Sequence, residues 1–240
     1  MPLTENRTLA ERAFSEIHES IVSGRYGPGY HLRIEELAET LQISPTPIRE
    51  ALHRLESLGL AEKIPHRGSR VSDLNPTDLI DVYEARLALE PMAVARAAAR
   101  FSAKDEQIAR EYLDRLNSAE RRSDYLEAWK AHTGFHFSMY HPSQSAWLIR
   151  LITPLWERCQ CYRLKWHPLR ADLKRRAGEH LSMLEACIEH DASRAQLEMY
   201  NHLATTANSI YSDMVGKTFF DLKIPTLQFE RNGTSKHRAK

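Results

Sequence analysis

Histidines are the residues of this chain whose type and spacing could do chemistry. Seven of the twelve histidines lie between His132 and His202. His132 and His136 are four residues apart, and on a helix that spacing places both imidazoles on one face, about one turn apart. Two imidazoles placed in this way can bind the same metal ion.

His180 and His202 join this pair if the chain reverses direction between them. Asp191 is a suitable N-cap for a helix, and it lies eleven residues after His180 and eleven residues before His202. Two helices that reverse there would hold both imidazoles at the same level, and apolar neighbours favour an inward orientation. We therefore predict a divalent-metal site inside a helical bundle, formed by His132, His136, His180 and His202. The alternative for each histidine taken alone is an ordinary packed or solvated side chain.

A catalytic use of the same histidines is a competing interpretation. His132 and His136 have the spacing of the HExxH motif of zinc hydrolases, but Thr133 occupies the position of its general base. No Cys-x-x-Cys motif and no serine nucleophile elbow accompanies them, which leaves Glu179 as the nearby candidate acid. We expect a protein that is not an enzyme, with a helical metal-dependent hydrolase as the alternative.

Long amphipathic helices would have to position these histidines. From residue 76 to about residue 222 the chain is poor in glycine, and no strand-like alternation of useful length occurs. The apolar pattern predicts six helices, at residues 76–99, 102–121, 123–140, 144–165, 168–189 and 192–215. We predict that this second part is an all-α bundle that carries the metal.

The first 75 residues have a different composition, because glycine and proline interrupt short helical stretches. Five of the nine glycines lie here. The pattern predicts helices at residues 9–22, 34–41 and 45–58, followed by strands at 60–64 and 69–73. Two helices joined by a tight turn and followed by a β-hairpin form a winged helix-turn-helix. The fold class is therefore mainly α, with a linker at residues 72–75 and a disordered basic tail at residues 223–240.

The third helix is the predicted DNA-reading element. Hydroxyl and amide groups at its N-terminus suit phosphate oxygens, and an arginine one turn later can reach a guanine edge or a phosphate. The hairpin, or wing, offers further cations to a neighbouring groove. The predicted DNA-binding residues are Arg33, Ser44, Thr46, Arg49, His66, Arg67, Gly68 and Arg70, and the alternative is that these are merely solvated polar residues.

The charge distribution predicts local rather than diffuse attraction to double-stranded DNA. Residues 1–75 contain nine Lys or Arg against eleven Asp or Glu, a net charge of −2, whereas residues 44–70 contain five against three, a net charge of +2. Such a domain binds nonspecific DNA weakly and depends on specific contacts. Paired half-sites need two reading heads, so we expect a homodimer.

Composition also bears on the location of the protein. No run of about 18 apolar residues occurs, so no membrane span is expected. The polar N-terminus does not have the pattern of a signal peptide. The three cysteines form an odd, sparse set that is typical of reduced thiols in a cytosol. We expect a cytoplasmic protein without membrane contact.

Several segments of the first part resemble the DNA-binding domain of the GntR family of transcription regulators. They are IVSGRYGPGYHL at residues 21–32, ELA at 36–38, ISPTPIREALHRL at 43–55, GL at 59–60 and HRG at 66–68, with Val71 after them. Residues 83–90, YEARLALE, resemble the opening helix of the FCD effector domain in the FadR-type branch of that family. Pro45 departs from the pattern, because the family usually has arginine there, so operator preferences cannot be carried over from relatives.

The resemblance implies a transcription regulator, and we expect a repressor, whose DNA affinity changes when a small carboxylate binds beside a divalent metal. A DNA-binding scaffold without an effector is a further alternative. Many FCD domains hold the metal through one Asp and three His, and His132 stands here where the Asp is usual. Because imidazole suits zinc and nickel whereas carboxylate suits magnesium and manganese, we expect zinc, with nickel as the second choice. Arg86 is the candidate partner of the effector carboxylate, and an ion pair with Glu90 is its alternative.

Overall fold

The computed structural model describes residues 8–65, 68–166 and 173–222 of the 240-residue chain. Its elements in chain order are α1 Leu9–Val22, β1 His31–Leu32, α2 Ile34–Leu41, α3 Pro45–Ser57, β2 Ala61–Ile64, β3 Gly68–Val71, α4 Pro76–Ala98, α5 Ala103–Arg122, α6 Tyr125–Tyr140, a 3-10 turn at His141–Ser143, α7 Ala146–Trp166, α8 Leu173–Ile188 and α9 Ala192–Val215.

The N-terminal part is a winged helix-turn-helix, as the sequence predicts. Helices α1, α2 and α3 pack over a three-stranded antiparallel sheet in the order β1-β3-β2. The core is formed by one apolar face of each helix together with the inward residues of the sheet. Strand β1 was not predicted, because two residues are too few to show the alternation that identifies a strand.

Helix α3 forms because its apolar residues recur at helical spacing. Ile48, Ala51, Leu52 and Leu55 are all buried in the core of the first domain. Ser44 is the N-cap as predicted, although its hydroxyl makes no capping hydrogen bond. Pro45 occupies the first helical position, where its missing N–H and its fixed φ are tolerated.

The C-terminal part is the predicted all-α bundle. Helix α4 packs against α7 and α9, and α5 packs against α6. The observed helices agree with the predicted ranges to within two residues at every end except the start of α8. That start was predicted at residue 168, which lies outside the described residues. The predicted tail at residues 223–240 also lies outside them.

The turn between α8 and α9 brings the second pair of histidines together. Asp191 is the N-cap of α9 and accepts a hydrogen bond from the backbone N–H of Arg194 at 2.9 Å. His190, just before it, has φ of +56°, which allows the sharp reversal of the chain. His180 and His202 are thereby placed side by side, with ring centroids 4.9 Å apart.

Helix α7 joins the two parts of the molecule. The Arg158 guanidinium donates to Asp78 Oδ2 at 2.9 Å, to the Gly59 carbonyl at 3.0 Å and to the Asp73 carbonyl at 2.7 Å. The Tyr162 hydroxyl lies 2.5 Å from Asp78 Oδ2 and accepts from the Asn75 N–H at 3.1 Å. The segment at residues 72–75 is therefore fixed to α7 by part-buried hydrogen bonds.

A second contact connects α7 to the DNA-binding domain through α1. His18 Nε2 lies 2.6 Å from Glu157 Oε2, and both side chains are partly buried. Cys161, one turn further along α7, packs against the core of the first domain. One face of a bundle helix thus forms part of the packing of the winged helix-turn-helix.

The close contact of α5 and α6 yields a stability prediction. A Cβ atom at Gly134 would lie 2.2 Å from Cε1 of Tyr112, so Gly134→Ala forces the ring or the helix to move. Such overpacking typically costs about 1–3 kcal/mol. We expect the free energy of unfolding in urea to fall by that amount.

Gly178 is the matched control, because it also lies within a helix but a Cβ atom there meets no heavy atom within 4 Å. We expect Gly178→Ala to leave stability unchanged or to raise it by up to about 1 kcal/mol, since alanine favours helix. Equal effects of the two substitutions would contradict the α5–α6 contact.

Candidate metal centre and DNA-reading surface

Four histidines converge in the interior of the bundle. His132 and His136 come from α6, His180 from α8 and His202 from α9, and none is more than 3% exposed. One ring nitrogen from each lies within 4.8 Å of the others. Ligand nitrogens around tetrahedral zinc are about 3.4 Å apart, so the rings would have to move closer together to hold an ion. The structure therefore brings together all four residues that the sequence singled out.

The ring nitrogens of this cluster are poorly satisfied by the protein. His136 Nε2 and His180 Nε2 are buried and have no hydrogen-bond partner among the described residues. A buried polar atom without a partner costs about 1–3 kcal/mol. Buried imidazole nitrogens without a hydrogen-bond partner are donors that suit zinc or nickel, so His136 and His180 fit such an ion, whereas His132 would first have to leave Arg163.

Hydrogen bonds on the far side of two rings fix their orientation. His202 Nδ1 lies 2.8 Å from Glu179 Oε2, an arrangement in which Nδ1 carries the proton and Nε2 keeps its lone pair. The Tyr140 hydroxyl donates to Glu90 Oε2 at 2.6 Å, so it accepts from His136 Nδ1 at 3.1 Å. His136 Nε2 is consequently the unprotonated nitrogen. Partners of this kind orient metal-bound histidines in proteins.

Burial keeps the four imidazoles in the neutral form. It is the main cause of the lowered pKa of His132, His136, His180 and His202. Repulsion within the cluster, and from Arg163, lowers the pKa values further, whereas Glu179 opposes the shift at His202. Neutral imidazole is the form that binds metal, so the cluster needs no deprotonation step near neutral pH.

Arg86 forms the ion pair with Glu90 that the sequence analysis gave as the alternative to effector binding. Its guanidinium forms a bidentate ion pair with Glu90, with Nε 2.5 Å from Oε1 and Nη2 3.1 Å from Oε2. Both side chains are buried, and Glu90 also accepts from Tyr140. Arg86 thus anchors the chain of hydrogen bonds that orients His136. Its contact with an effector stays a prediction.

Arg163 is a residue of the site that the sequence analysis missed. Its Nη1 lies 3.1 Å from His132 Nδ1 and 3.2 Å from His132 Nε2. Burial lowers the pKa of Arg163 to about 10. Trp156 stacks on the His132 ring at a centroid distance of 5.4 Å. The seven-residue spacing of Trp156 and Arg163 on α7 was the one available signal that they share a face.

The start of α3 presents the predicted reading residues to solvent. Ser44, Thr46 and Arg49 are exposed, and Arg49 makes no ion pair within the described part of the chain. Proline at positions 45 and 47 removes two of the first four amide donors of the helix, so Ser44 and Thr46 retain the other two. His53, one turn beyond Arg49 and 74% exposed, extends this surface and was missed.

The other predicted DNA-binding residues have different surroundings. Arg33 pairs with Glu36 at 2.8 Å, and Arg70 pairs with Glu62 at 2.5 Å across the hairpin. Gly68 begins β3 with φ of +83°, a conformation that favours glycine. His66 and Arg67, which were predicted to contact DNA from the wing, lie outside the described residues. Their contacts with DNA stay predictions.

The described helices also bear on the expectations about membranes and thiols. Within residues 8–65, 68–166 and 173–222, no helix combines the length and the apolar character required to cross a membrane. Cys159, Cys161 and Cys187 are all free thiols, as expected.

Comparison with known proteins identifies both parts of the chain. Residues 9–71 match the model of the bacterial regulatory proteins of the gntR family, and residues 81–205 match the FCD domain. The transcriptional repressor GlaR of Escherichia coli is 27% identical over 210 residues, which cover 83% of this chain and 94% of GlaR. The Nta operon transcriptional regulator of Aminobacter aminovorans is 31% identical over 176 residues, 72% of this chain and 82% of that protein.

A solved structure of Escherichia coli McbR/YncC has the same architecture. It superposes with a TM-score of 0.77 at 25% identity, over 87% of this chain and 99% of that one. These relatives are regulators, which agrees with the expectation of a protein that is not an enzyme. The chain belongs to the GntR family of bacterial regulatory proteins, carries an FCD domain, and is a DNA-binding transcription regulator.

Proposed function

We propose that this protein is a cytoplasmic repressor that binds operator DNA as a homodimer and responds to a small carboxylate bound beside a divalent metal. Zinc is the expected metal and nickel is the second choice. The observation that carries the proposal is the closed group of four neutral imidazoles in a domain whose helix α7 is bonded to the DNA-binding domain.

The donor set supports the choice of metal. Each of the four side chains nearest the centre contributes a nitrogen, and Glu179 contacts His202 from outside the group. Zinc and nickel prefer imidazole, whereas magnesium and manganese prefer carboxylate and carbonyl oxygen. When bound, such an ion would supply a Lewis-acidic position for an effector oxygen. The residues that would hold it are His132, His136, His180 and His202.

The surface of α7 supports a homodimer. Trp147 and Leu151 are one turn apart and are 69% and 49% exposed. Large exposed apolar side chains next to one another are typical of interaction surfaces. A second copy of the chain is the occupant we propose, because paired half-sites require two reading heads at a fixed separation.

Helix α7 supports a response of the DNA-binding domain to the effector. Trp156 and Arg163 contact the histidine cluster, whereas Arg158 and Tyr162 hold the segment at residues 72–75. A ligand that favours one position of α7 would therefore favour one position of the reading head. This is a shift between two populations of the dimer, with the effector binding one of them more tightly.

The metal proposal predicts that His180→Ala combined with His202→Ala removes the ion. Two of the four ligands are lost, so the metal content should fall from about one ion per chain to near zero by elemental analysis. Chelator should lower the Tm of the wild-type protein, because a ligand at 100 times its Kd stabilises by about 2.7 kcal/mol. The double variant should show no such response.

His141→Ala is the control for metal binding, since His141 is exposed and lies outside the cluster. It should keep the metal and the chelator response. One ion per chain in the double variant, or none in the wild type, would refute the metal site.

The DNA proposal predicts that Arg49→Ala weakens binding to an operator selected from random duplexes by the wild-type protein. Loss of one arginine contact to a base typically costs about 1–3 kcal/mol, or roughly five- to 150-fold in affinity. Fluorescence anisotropy measures the loss, and circular dichroism shows whether the fold is intact. The stoichiometry of the same titrations should be two chains per operator.

Arg96→Ala is the matched control for charge, because Arg96 is an exposed arginine on α4. It should leave operator affinity unchanged. Equal affinities of the Arg49 and Arg96 variants would overturn the assignment of α3 as the reading helix, and one chain per operator would overturn the dimer.

The proposed coupling through α7 predicts that Arg158→Met separates effector binding from DNA binding. The variant loses the three contacts to residues 59, 73 and 78 but none to the histidine cluster. The carboxylate that most raises the Tm of the wild-type protein should bind the variant with similar affinity. Its effect on operator affinity should shrink towards a ratio of one, while Arg96→Met keeps the wild-type ratio. An unchanged ratio in Arg158→Met would refute the coupling through α7.

A further inference from the structure

Among the buried arginines, Arg163 alone has no carboxylate partner within the described part of the chain. Arg86 pairs with Glu90, Arg158 with Asp78 and Arg176 with Glu120. Within the described residues, the contacts of the Arg163 guanidinium are with the two ring nitrogens of His132. An unpaired cation in a protein interior is costly, so the environment of Arg163 is suited to receive an anion.

The chemistry of His132 shows why the present contact is incompatible with metal binding. A neutral imidazole has one lone pair, because its other nitrogen carries a proton. Arg163 lies within 3.2 Å of both nitrogens and has only N–H donors. If His132 gives its lone pair to a metal, no acceptor remains on that ring for the guanidinium. Arg163 then requires another acceptor nearby.

The charge of the interior indicates the class of that acceptor. Four neutral imidazoles, a divalent ion and Arg163 carry a combined formal charge of +3. The neighbouring carboxylates do not offset it fully, because Glu90 is paired with Arg86, Glu120 with Arg176 and Glu179 with Arg175. A guanidinium binds one carboxylate group through two parallel hydrogen bonds, and a metal can bind an oxygen of a second carboxylate group.

We propose that Arg163 is the residue that binds a carboxylate of the effector, and that the effector is a small acid with more than one carboxylate group. This inference rests on the proposed function, since it needs the metal at His132. One carboxylate would face the ion, and another would accept hydrogen bonds from the Arg163 guanidinium, which would move away from His132. Arg86 already has a carboxylate partner in Glu90, which makes it the less favoured of the two arginines for this role.

The position of Arg163 makes it suited to report the ligand to the rest of the molecule. It is adjacent in sequence to Tyr162, which contacts Asn75 and Asp78 at the start of α4. A guanidinium that moves from His132 to a carboxylate changes the contacts of α7 one residue away from the contacts that hold the DNA-binding domain.

Calorimetric titration of the zinc-loaded protein with citrate, succinate, acetate, inorganic phosphate and dimethyl succinate tests the proposal. We expect citrate or succinate to bind the wild-type protein, acetate and phosphate to bind more weakly, and the neutral ester not to bind. Arg163→Met should lower the affinity by about thirtyfold or more, as loss of one partner of a buried charge pair does. Its zinc content should stay at the wild-type level.

Arg163→Lys provides a second variant that keeps the charge but loses the two-pronged geometry, and its affinity should fall between the other two. Removal of zinc from the wild-type protein should also weaken succinate or citrate binding. Unchanged affinity in Arg163→Met or Arg163→Lys, equal binding of phosphate, or no binding of either acid to the zinc-loaded wild type would overturn the role of Arg163. A wild-type protein that takes up no zinc would instead overturn the proposed function.

Discussion

The structure depends on placing four neutral imidazoles in one buried volume. Each ring has a single lone pair, so its orientation decides whether that lone pair faces the centre. Glu179 fixes His202, and the chain from Arg86 through Glu90 and Tyr140 fixes His136. Polar groups that would otherwise be costly in a bundle core thus have a role here, because their hydrogen bonds orient the imidazole rings.

Helix α7 connects this interior to the DNA-binding domain through two of its faces. Arg163 and Trp156 lie against His132, whereas Arg158 and Tyr162 bind the backbone that leads from the wing to α4. Arg158 and Tyr162 make these contacts through part-buried hydrogen bonds to backbone and carboxylate groups. The same helix carries the exposed Trp147 and Leu151. The proposed effector site, the segment that leads to the reading head and the proposed dimer surface therefore all involve α7, a helix with Pro154 in its interior.

The sequence predicted most of this architecture because helical spacing is local. His132 and His136 share a face whatever surrounds them, and the reversal at Asp191 follows from a cap motif, so the cluster could be predicted from the sequence. The contact of Arg163 with His132 could not be predicted, because it depends on how α7 packs against α6, which no short-range pattern records. For Arg86 the i, i+4 spacing to Glu90 offered the observed ion pair beside an effector contact, and sequence alone could not decide between them. Strand β1 escaped because two residues show no period.

The two prolines at the start of α3 have a consequence for the physics of operator binding. Backbone amides at a helix N-terminus can hold phosphates by hydrogen bonding, whereas condensed cations leave the duplex when a charged Lys or Arg neutralises a phosphate. With proline at positions 45 and 47, the first turn of α3 offers two fewer amide donors and no cationic side chain at position 45. In the proposed reading mode, more of the binding free energy would then come from base edges, and fewer cations would be released on binding than with an arginine at position 45.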